Sequence, residues 1–323
     1  MADRTIYDFV IIGSGMAGLA AARLAATSGH SVCVLDKGRR LGGRVSTRRA
    51  DSFTFNHGAQ FLTARQEAFI AVCAQAESAG ALRPWQVADR DAFCGAPTMR
   101  DLPGFLGDGL DIRQQAEVTG LQRVDDAIQC NAADGPLAFG RRIIVTAPAP
   151  QTARLLAGID DELATMAGTA EYAPCWTGMY GFTAADLPAL AAPTGADNGP
   201  VGWACWEAHR PGGSARTNGA LVVQAAPDWS ASELERDSGS IAAALLAAYQ
   251  VMIGETLPAP AYMAAHRWRY ARVTRTADEA APRVSADGRI AVAGDWVAGA
   301  RVEDAFMSGH RAMTAMLARA DMA

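Results

Sequence analysis

A glycine turn at the thirteenth residue constrains this chain more than any other feature. Gly13-Ser14-Gly15-Met16-Ala17-Gly18 follows directly on the apolar run Tyr7-Asp8-Phe9-Val10-Ile11-Ile12. An alanine-rich helix from Met16 to Thr27 leaves the turn, and a second apolar run, Ser31-Val32-Cys33-Val34-Leu35, ends on Asp36. A lone G-x-G-x-x-G is weak evidence. Inside a strand–helix–strand unit with an acid at the second strand's end it is strong evidence of dinucleotide binding. Gly13 permits the tight turn, Gly15 lets a pyrophosphate approach the backbone, and Gly18 lets the helix pack on the strand. The pyrophosphate then lies against the first-turn N–H groups at Met16 and Ala17, where the helix dipole also favours an anion. Asp36 is placed to accept hydrogen bonds from ribose hydroxyls, with Lys37 beside it at the adenosine end. A carboxylate there repels a 2′-phosphate, so an unphosphorylated adenosine is expected.

Two further segments indicate which dinucleotide. Arg40-Leu41-Gly42-Gly43-Arg44 follows Asp36 after a short gap. Gly43 opens backbone beside a diphosphate, and Arg44 offers a planar fork to a phosphate. A nicotinamide dehydrogenase has no need of this second element, whereas an extended FAD does; the bland alternative is a pair of solvated arginines on a glycine loop. Near the far end, Ile290-Ala291-Val292-Ala293 reads as a buried strand followed by Gly294-Asp295 and a helix from about Val302 to Ala318. Asp295 is expected on the ribityl or pyrophosphate part of FAD, or is an ordinary turn or cap aspartate. The helix start, with Val302, Glu303 and Ala305, would aim its N–H groups at the flavin's pyrimidine edge.

These blocks, together with His57-Gly58-Ala59-Gln60, Thr146-Ala147-Pro148-Ala149-Pro150, His266-Arg267-Trp268-Arg269-Tyr270-Ala271 and Gly294-Asp295-Trp296, resemble bacterial renalase-like members of the flavin amine oxidase superfamily. The resemblance spans nearly the whole chain in order. It implies FAD as cofactor, 2- or 6-dihydro isomers of NAD(P) as hydride donors, and O2 as acceptor, giving hydrogen peroxide. Two departures stand out. The family usually has aspartate where this chain has Asn56. The polar loop Glu207-Ala208-His209-Arg210-Pro211-Gly212-Gly213 has His209-Arg210 where the family typically carries Asn or Ser and then Lys before Pro-Gly. Lys37 is the only lysine. Placed at the adenosine end, it cannot serve as the lysine that many amine oxidases hold near flavin N5.

Bulk properties remove other classes. A net charge of −5 and a pI near 5.6 give no basic stripe for nucleic acid or an anionic membrane. No apolar run approaches the roughly 20 residues that span a bilayer. The first strand starts too close to Met1 for a removable signal peptide, so the expectation is a cytoplasmic protein. Six scattered cysteines and five histidines show no metal-ligand spacing, so no metal is expected, and the cysteines read as reduced, mostly buried thiols. No cysteine lies in the Gly-Asp-Trp region, so the flavin is expected to be non-covalent.

The expected fold is α/β. A Rossmann-like FAD-binding domain is assembled from discontinuous segments, residues 1–65, 111–164 and 266–323. An inserted α+β substrate domain, residues 66–110 and 165–265, is built on an antiparallel sheet. Residues 66–80 read as a helix, and 81–110 as strands and loops. Val118 is expected to meet the adenine through its backbone, and Ala147, ending the strand Arg142–Thr146, to approach the ADP portion. Strands are read at 175–182, 201–206, 221–224 and 261–273, with a helix over 241–253. The cleft between the domains is the natural active site for a small-molecule substrate.

The candidates on the reacting side are Gln60, His266 and Trp268. The block from His57, with Gly58 and Ala59, would cross one edge of the isoalloxazine, and Gln60 would bond flavin or substrate; His57 is equally explained as a loop histidine bonded to backbone. His266, Trp268 and Tyr270 alternate, so they share one strand face while Arg267 and Arg269 share the other. That face is either a pocket wall or an aromatic core. Trp203 and Trp206 face opposite sides, so at most one lines the pocket. Trp296 and Asp304 are further flavin-edge candidates, Asp304 also being explained as a first-turn helix acid. The rival readings are an FAD-dependent amine oxidase or desaturase acting on another small molecule, and a flavin-binding protein without turnover.

Overall fold

The computed structural model describes residues 5–87, 89–183, 199–213, 217, 219–279 and 283–320. β1 (Ile6–Ile12) runs into the glycine turn and α1 (Met16–Thr27), which returns to β2 (Val32–Asp36). A hairpin of β3 (Arg48–Ala50) and β4 (Phe53–Phe55) precedes α2 (Glu67–Ser78). A second hairpin, β5 (Leu82–Val87) with β6 (Arg90–Gly95), leads to α3 (Asp101–Gly107). Then come β7 (Asp111–Gln114), β8 (Gly120–Val124), β9 (Ala127–Ala132), β10 (Gly135–Val145), α4 (Ala149–Leu156) and α5 (Asp161–Gly168). The chain continues through β11 (Glu171–Gly181), β12 (Val201–Trp206), β13 (Ala220–Ala225), α6 (Pro227–Ser232), α7 (Ser238–Ile253) and β14 (Tyr262–Arg275). It closes with β15 (Ile290–Val292), α8 (Asp295–Ala298) and α9 (Val302–Ala320).

Two sheets organise the molecule. The larger runs β7-β2-β1-β10-β9-β8, with β15 also paired to β10. β7, β2, β1, β10 and β15 are parallel, whereas β9 and β8 are antiparallel additions. β10 is long enough to serve two partners on one edge. Residues Gly135–Gly140 pair with β9, and Ile143–Val145 pair with β15. Phe9, Val10 and Ile11 are fully buried because helices cover both faces. The smaller sheet is antiparallel, ordered β12-β13-β11-β14, and α7 seats Ile241, Leu245 and Tyr249 on it.

Three sequence expectations change. The segment 81–110 contains a helix, α3, which Pro103 and Gly104 disguise as a loop. Proline is tolerated in a first turn, and burial of Leu102, Pro103 and Leu106 stabilises the helix. The domain boundary expected between 265 and 266 falls inside β14, which stays paired to β11 from Tyr262 to Arg275. The antiparallel sheet therefore continues to Arg275. Finally, α2, β5 and β6 pack against Met16, Leu19 and Ala20 of α1 and Phe306 and Met307 of α9, with only Trp203 and Cys205 contributed by the small sheet.

The two ends of the chain meet directly. A Cβ on Gly309 of α9 would sit 1.9 Å from the Ala17 carbonyl oxygen of α1, so the two helices touch backbone to backbone.

Candidate active site

The carboxyl ends of β1, β2, β10 and β15 converge on one crevice, the usual place for a ligand in an open parallel sheet. Gly13 has φ +108° and donates its N–H to the Leu35 carbonyl at 2.8 Å. A Cβ on Gly18 would lie 1.8 Å from the Gly13 carbonyl oxygen, so the third glycine sets how closely α1 approaches the turn. A Cβ on Gly15 would meet nothing within 4 Å; that side of the turn is open. Gly42 donates to the Ser14 carbonyl at 2.8 Å, and a Cβ on Gly43 would come within 3.4 Å of Gly15 Cα. The two glycine loops thus face each other at the start of α1. Asp36 holds the first loop, accepting from the Ser14 N–H and hydroxyl at 2.5 and 2.8 Å and from the Gly38 N–H at 2.6 Å. Gln115 and Ala116 donate to Gly38 and Asp36 carbonyls, which brings the segment carrying Val118 to the same end. Lys37 lies at the rim in a 3.6 Å ion pair with Glu117, both side chains exposed.

Arg44 and Asp295, 251 residues apart in sequence, form a bidentate pair at 2.7 and 2.6 Å. Arg44 was expected on a phosphate; here its fork closes on Asp295, whose side chain is 5% exposed, and one arm also donates to the Ala271 carbonyl at 3.0 Å. Burial opposes the Arg44 charge, yet the Asp295 carboxylate holds its pKa above the ordinary value. Gly294, at φ +153°, lets the chain turn into α8. Gly58 lies against the Arg44 carbonyl, where a Cβ would come within 1.9 Å, and Ala59 donates to that carbonyl at 2.9 Å.

From there the loop Asn56–Gln60 meets β14. His57 is 5% exposed and stacks on Trp268 at 5.4 Å and 28°. His266 stands edge-on to both, 5.2 Å from His57 and 4.3 Å from Trp268. Trp268 Nε1 donates to the His57 carbonyl at 2.9 Å. The alternation along β14 holds: His266, Trp268 and Tyr270 are half-buried, while Arg267 and Arg269 face outward to Glu235. His57 Nδ1 is buried with no hydrogen-bond partner, and so is Trp203 Nε1. Of the tryptophan pair, Trp206 is core and bonds the Tyr249 hydroxyl at 3.0 Å, whereas Trp203 packs on Phe61.

Burial pushes the His57 imidazole down to about 3 and that of His266 to about 4. Both are therefore neutral at pH 7. The folded values lie below the unfolded value near 6.5, so as pH falls through 6.5 the unfolded chain takes up protons that the folded chain refuses. Stability is then lost from about pH 6.5 down to about pH 4 for His266 and about pH 3 for His57, at about 1.4 kcal/mol per pH unit for each group. His57→Phe is expected to flatten this dependence. Urea midpoints measured between pH 7 and 4.5 check it, and a slope equal to wild type would reject the assignment for His57.

A buried polar network braces the loop, and sequence reading missed it. Glu207 is fully buried and accepts from the Asn56 backbone and side-chain N–H groups, both at 2.7 Å. Arg210, 5% exposed, pairs with Glu207 at 2.9 Å, lies 4.9 Å over Trp85, and donates to Gln60 Oε1 at 2.5 Å and to the Gln60 carbonyl. The Gln60 amide nitrogen donates to the Asn56 and Gly58 carbonyls at 2.7 and 2.9 Å. Gln60 thus has both amide ends tied inside the protein and positions the loop instead of presenting itself to a ligand. The Glu207–Gly213 segment likewise turns its charged residues Glu207 and Arg210 inward. The available signal was Asn56 itself, a neutral amide where the resemblance expects a carboxylate.

Other candidates move. Trp296 is fully buried in the core, with Nε1 donating to the Ala147 carbonyl at 3.1 Å; it is no flavin-edge residue. Asp304 accepts from the Arg301 N–H at 3.0 Å, a capping acid reaching back to the first residue of its turn. Glu303 is fully buried, its Oε1 accepting from the N–H groups of Arg65 and Gln66 at 2.7 and 2.6 Å. What α9 offers the crevice at Val302, Glu303 and Ala305 is its backbone end. All six cysteines are free, and burial raises each thiol to about 11 or 12. Among the described residues no group of His, Cys, Asp and Glu could hold a metal ion, and no helix is long and apolar enough to cross a membrane.

The crevice therefore offers an acid beside a glycine turn, two glycine loops at a helix start, an Arg–Asp pair, and an aromatic wall with an orphaned imidazole nitrogen. This order fits an extended FAD, adenosine end first. Residues 11–76 match the NAD(P)-binding Rossmann-like domain, and residues 86–317 match flavin containing amine oxidoreductases. A stretch of 49 residues is 51% identical to an L-amino acid oxidase of Crotalus durissus cumanensis. Over 48 residues the chain is 44% identical to a 4,4'-diapophytoene desaturase (4,4'-diaponeurosporene-forming) of Staphylococcus haemolyticus. Each match covers 15% of this chain and 10% of the relative's length. Putrescine oxidase bound to putrescine superposes with a TM-score of 0.70 at 15% identity, and cyclohexylamine oxidase of Brevibacterium oxydans with 0.67 at 10%. Both superpositions cover 98% of this chain and 100% of the other.

Proposed function

The chain belongs to the flavin containing amine oxidoreductases, and on that premise we propose that this FAD-dependent oxidoreductase takes a hydride from a dihydropyridine-type donor, the 2- or 6-dihydro isomers of NAD(P). Bound FAD supplies the hydride acceptor that O2 can reoxidise. Overall, one dihydropyridine, one O2 and one proton become one pyridinium and one hydrogen peroxide. The observation that carries the reading is the neutral wall of His57, His266 and Trp268, beside which no lysine stands. The sole lysine, Lys37, is paired with Glu117 at the rim. A dihydropyridine already holds a labile hydride, so the protein has only to orient a flat ring and exclude water. Trp268 and His57 offer a stacked aromatic surface for that ring, and His57 Nδ1 and Trp203 Nε1 are unsatisfied polar atoms that a ring amide could meet.

The remaining residues would hold the cofactor. Asp36 takes the ribose, with Lys37 alongside and Val118 at the adenine. Gly13, Gly15, Met16, Ala17, Gly18 and Gly43 enclose the diphosphate, with Ala147 beside it. Arg44 and Asp295 act as one unit next to it, with Gly294 turning the chain. Gly58 and Ala59 and the backbone at Val302, Glu303 and Ala305 frame the ring.

Flavin-loaded protein mixed anaerobically with 2- or 6-dihydro-NAD is expected to bleach, and admitting air to release one peroxide per donor. Persistent yellow colour with both isomers rejects the substrate. A second reading, amine oxidation, is favoured by the family match and by the superposition on putrescine and cyclohexylamine oxidases. Peroxide from primary amines, in protein that does not bleach with dihydropyridines, would establish it instead.

A further inference from the structure

We propose that Trp203 and Gln224 form a carboxamide-recognition pair beside the His57–Trp268 wall and select the amide of the substrate ring over the corresponding acid. The inference rests on that wall being the face that receives the substrate ring. The pair belongs to a row that crosses all four strands of the smaller sheet. Trp203 on β12 stands opposite Gln224 on β13, Gln224 opposite Thr177 on β11, and Thr177 opposite His266 on β14. Side chains in register share one face of a sheet. Their strand neighbours Trp176, Ala204, Val223, Ala225 and Ala265 pack in the cluster under α7, so the row itself points the other way. On that side the loop after Asn56 lies along it. His57 is 5.2 Å from His266, the Gly58 carbonyl accepts from Gln224 Nε2 at 2.8 Å, and Phe61 packs on Trp203 at 5.7 Å.

The bonds already made fix what the row has left to offer. The Gly58 carbonyl can only accept, so the Gln224 amide nitrogen faces it and Oε1 is the end that remains. Among the described residues no donor bonds that oxygen. Trp203 Nε1 is buried without a partner among the same residues, and an indole nitrogen can only donate. Thr177 is fully buried at the floor of the row, its hydroxyl 4.0 Å from the Cys175 thiol. One unused donor and one unused acceptor therefore stand on adjacent strands, on side chains that start about 5 Å apart. A primary carboxamide presents the complement: a carbonyl for the indole N–H, and an N–H for the Gln224 oxygen. A carboxylate meets the indole equally well but sets its second oxygen against Oε1, and two acceptors repel. A site built around such groups rejects a ligand that leaves one of them unpaired.

The probes are nicotinamide and nicotinate, titrated at pH 7 into flavin-loaded protein and followed by the shift in flavin absorbance. Nicotinamide is expected to bind saturably and about tenfold or more tighter than nicotinate. Gln224→Leu should erase that preference. Trp203→Phe, which keeps an aromatic ring against Phe61, should weaken nicotinamide about tenfold. A loop merely loosened by loss of the Gly58 bond would weaken both ligands alike and leave their ratio as in wild type. The proposal is overturned by equal binding of amide and acid in wild type, by no saturable nicotinamide binding, by a preference that survives Gln224→Leu, or by a nicotinamide affinity that Trp203→Phe leaves unchanged. If nicotinamide binds as stated while neither dihydro-NAD isomer bleaches the flavin, the reaction assignment falls and the pair stands. Bleaching without an amide preference keeps the reaction assignment and removes the pair.

Discussion

Glu207→Gln is expected to lower the unfolding free energy by about 3–5 kcal/mol, the usual loss when one partner of a buried ion pair is removed. The substitution keeps the shape but turns one accepting oxygen into a donor, so the loss combines the missing charge with a broken hydrogen bond. Arg210, 5% exposed, would remain buried beside Trp85 without its carboxylate. Asn56→Asp alone should also destabilise, for the opposite reason. It sets a second carboxylate within about 3 Å of the first, and two such charges cannot both stay ionised in one buried site. The double variant Asn56→Asp with Glu207→Gln returns the single negative charge to the cluster at the neighbouring position. It is expected to recover a large part of both losses. Urea unfolding of the four proteins measures the coupling. Simple additivity of the two losses would show that charge balance around Arg210 does not govern this loop. The prediction also accounts for Asn56: the carboxylate that the resemblance expects at 56 is supplied here by Glu207.

Gly18→Ala is expected to yield nearly colourless protein, with affinity for FAD reduced about a hundredfold. The added Cβ would fall 1.8 Å from the Gly13 carbonyl oxygen, and backbone has no rotamer through which to yield. Moving α1 outward to relieve an overlap of this kind costs about 3 kcal/mol, and the strain falls on the turn that Asp36 and Ser14 hold together. It converts to about two decades of affinity if the relaxed turn no longer presents its N–H groups. The helix itself should survive, because alanine suits a helix interior. Circular dichroism near wild type with weak flavin retention is the expected combination. Wild-type flavin retention would show that the glycine is not needed for a tight turn here.

What could be read from local pattern followed the physics of short range. Stretches that were apolar on both faces became buried strands, parallel at Val10–Ile12 and Ile290–Val292 and antiparallel at Leu221–Val223. The period-two alternation at His266, Trp268 and Tyr270 survived because β14 is a regular strand whose outer face is charged. The glycine turn was legible because a positive φ and a backbone contact leave no other residue type. Trp296 failed for a corresponding reason: an aromatic next to Gly-Asp looks the same from sequence whether it faces a ligand or the core. The engagement of the Gln60 side chain was hidden because one of its partners, Arg210, lies 150 residues away in sequence, although Asn56 and Gly58 are close by. The helix α3 was hidden because its stability comes from burial of Leu102 and Leu106 and not from propensity.

Spacing and residue type were sufficient to place an acid, a glycine turn and a helix start in one cradle, since those relations span fewer than forty residues of chain. The closure of Arg44 on Asp295, the seating of Gly309 on Ala17, and the inward turn of Glu207 and Arg210 came only with the assembled fold. Pairings across two hundred residues depend on which surfaces the two sheets bring together. Buried charges have few partners within reach, so the packing, and not the local code, chose them.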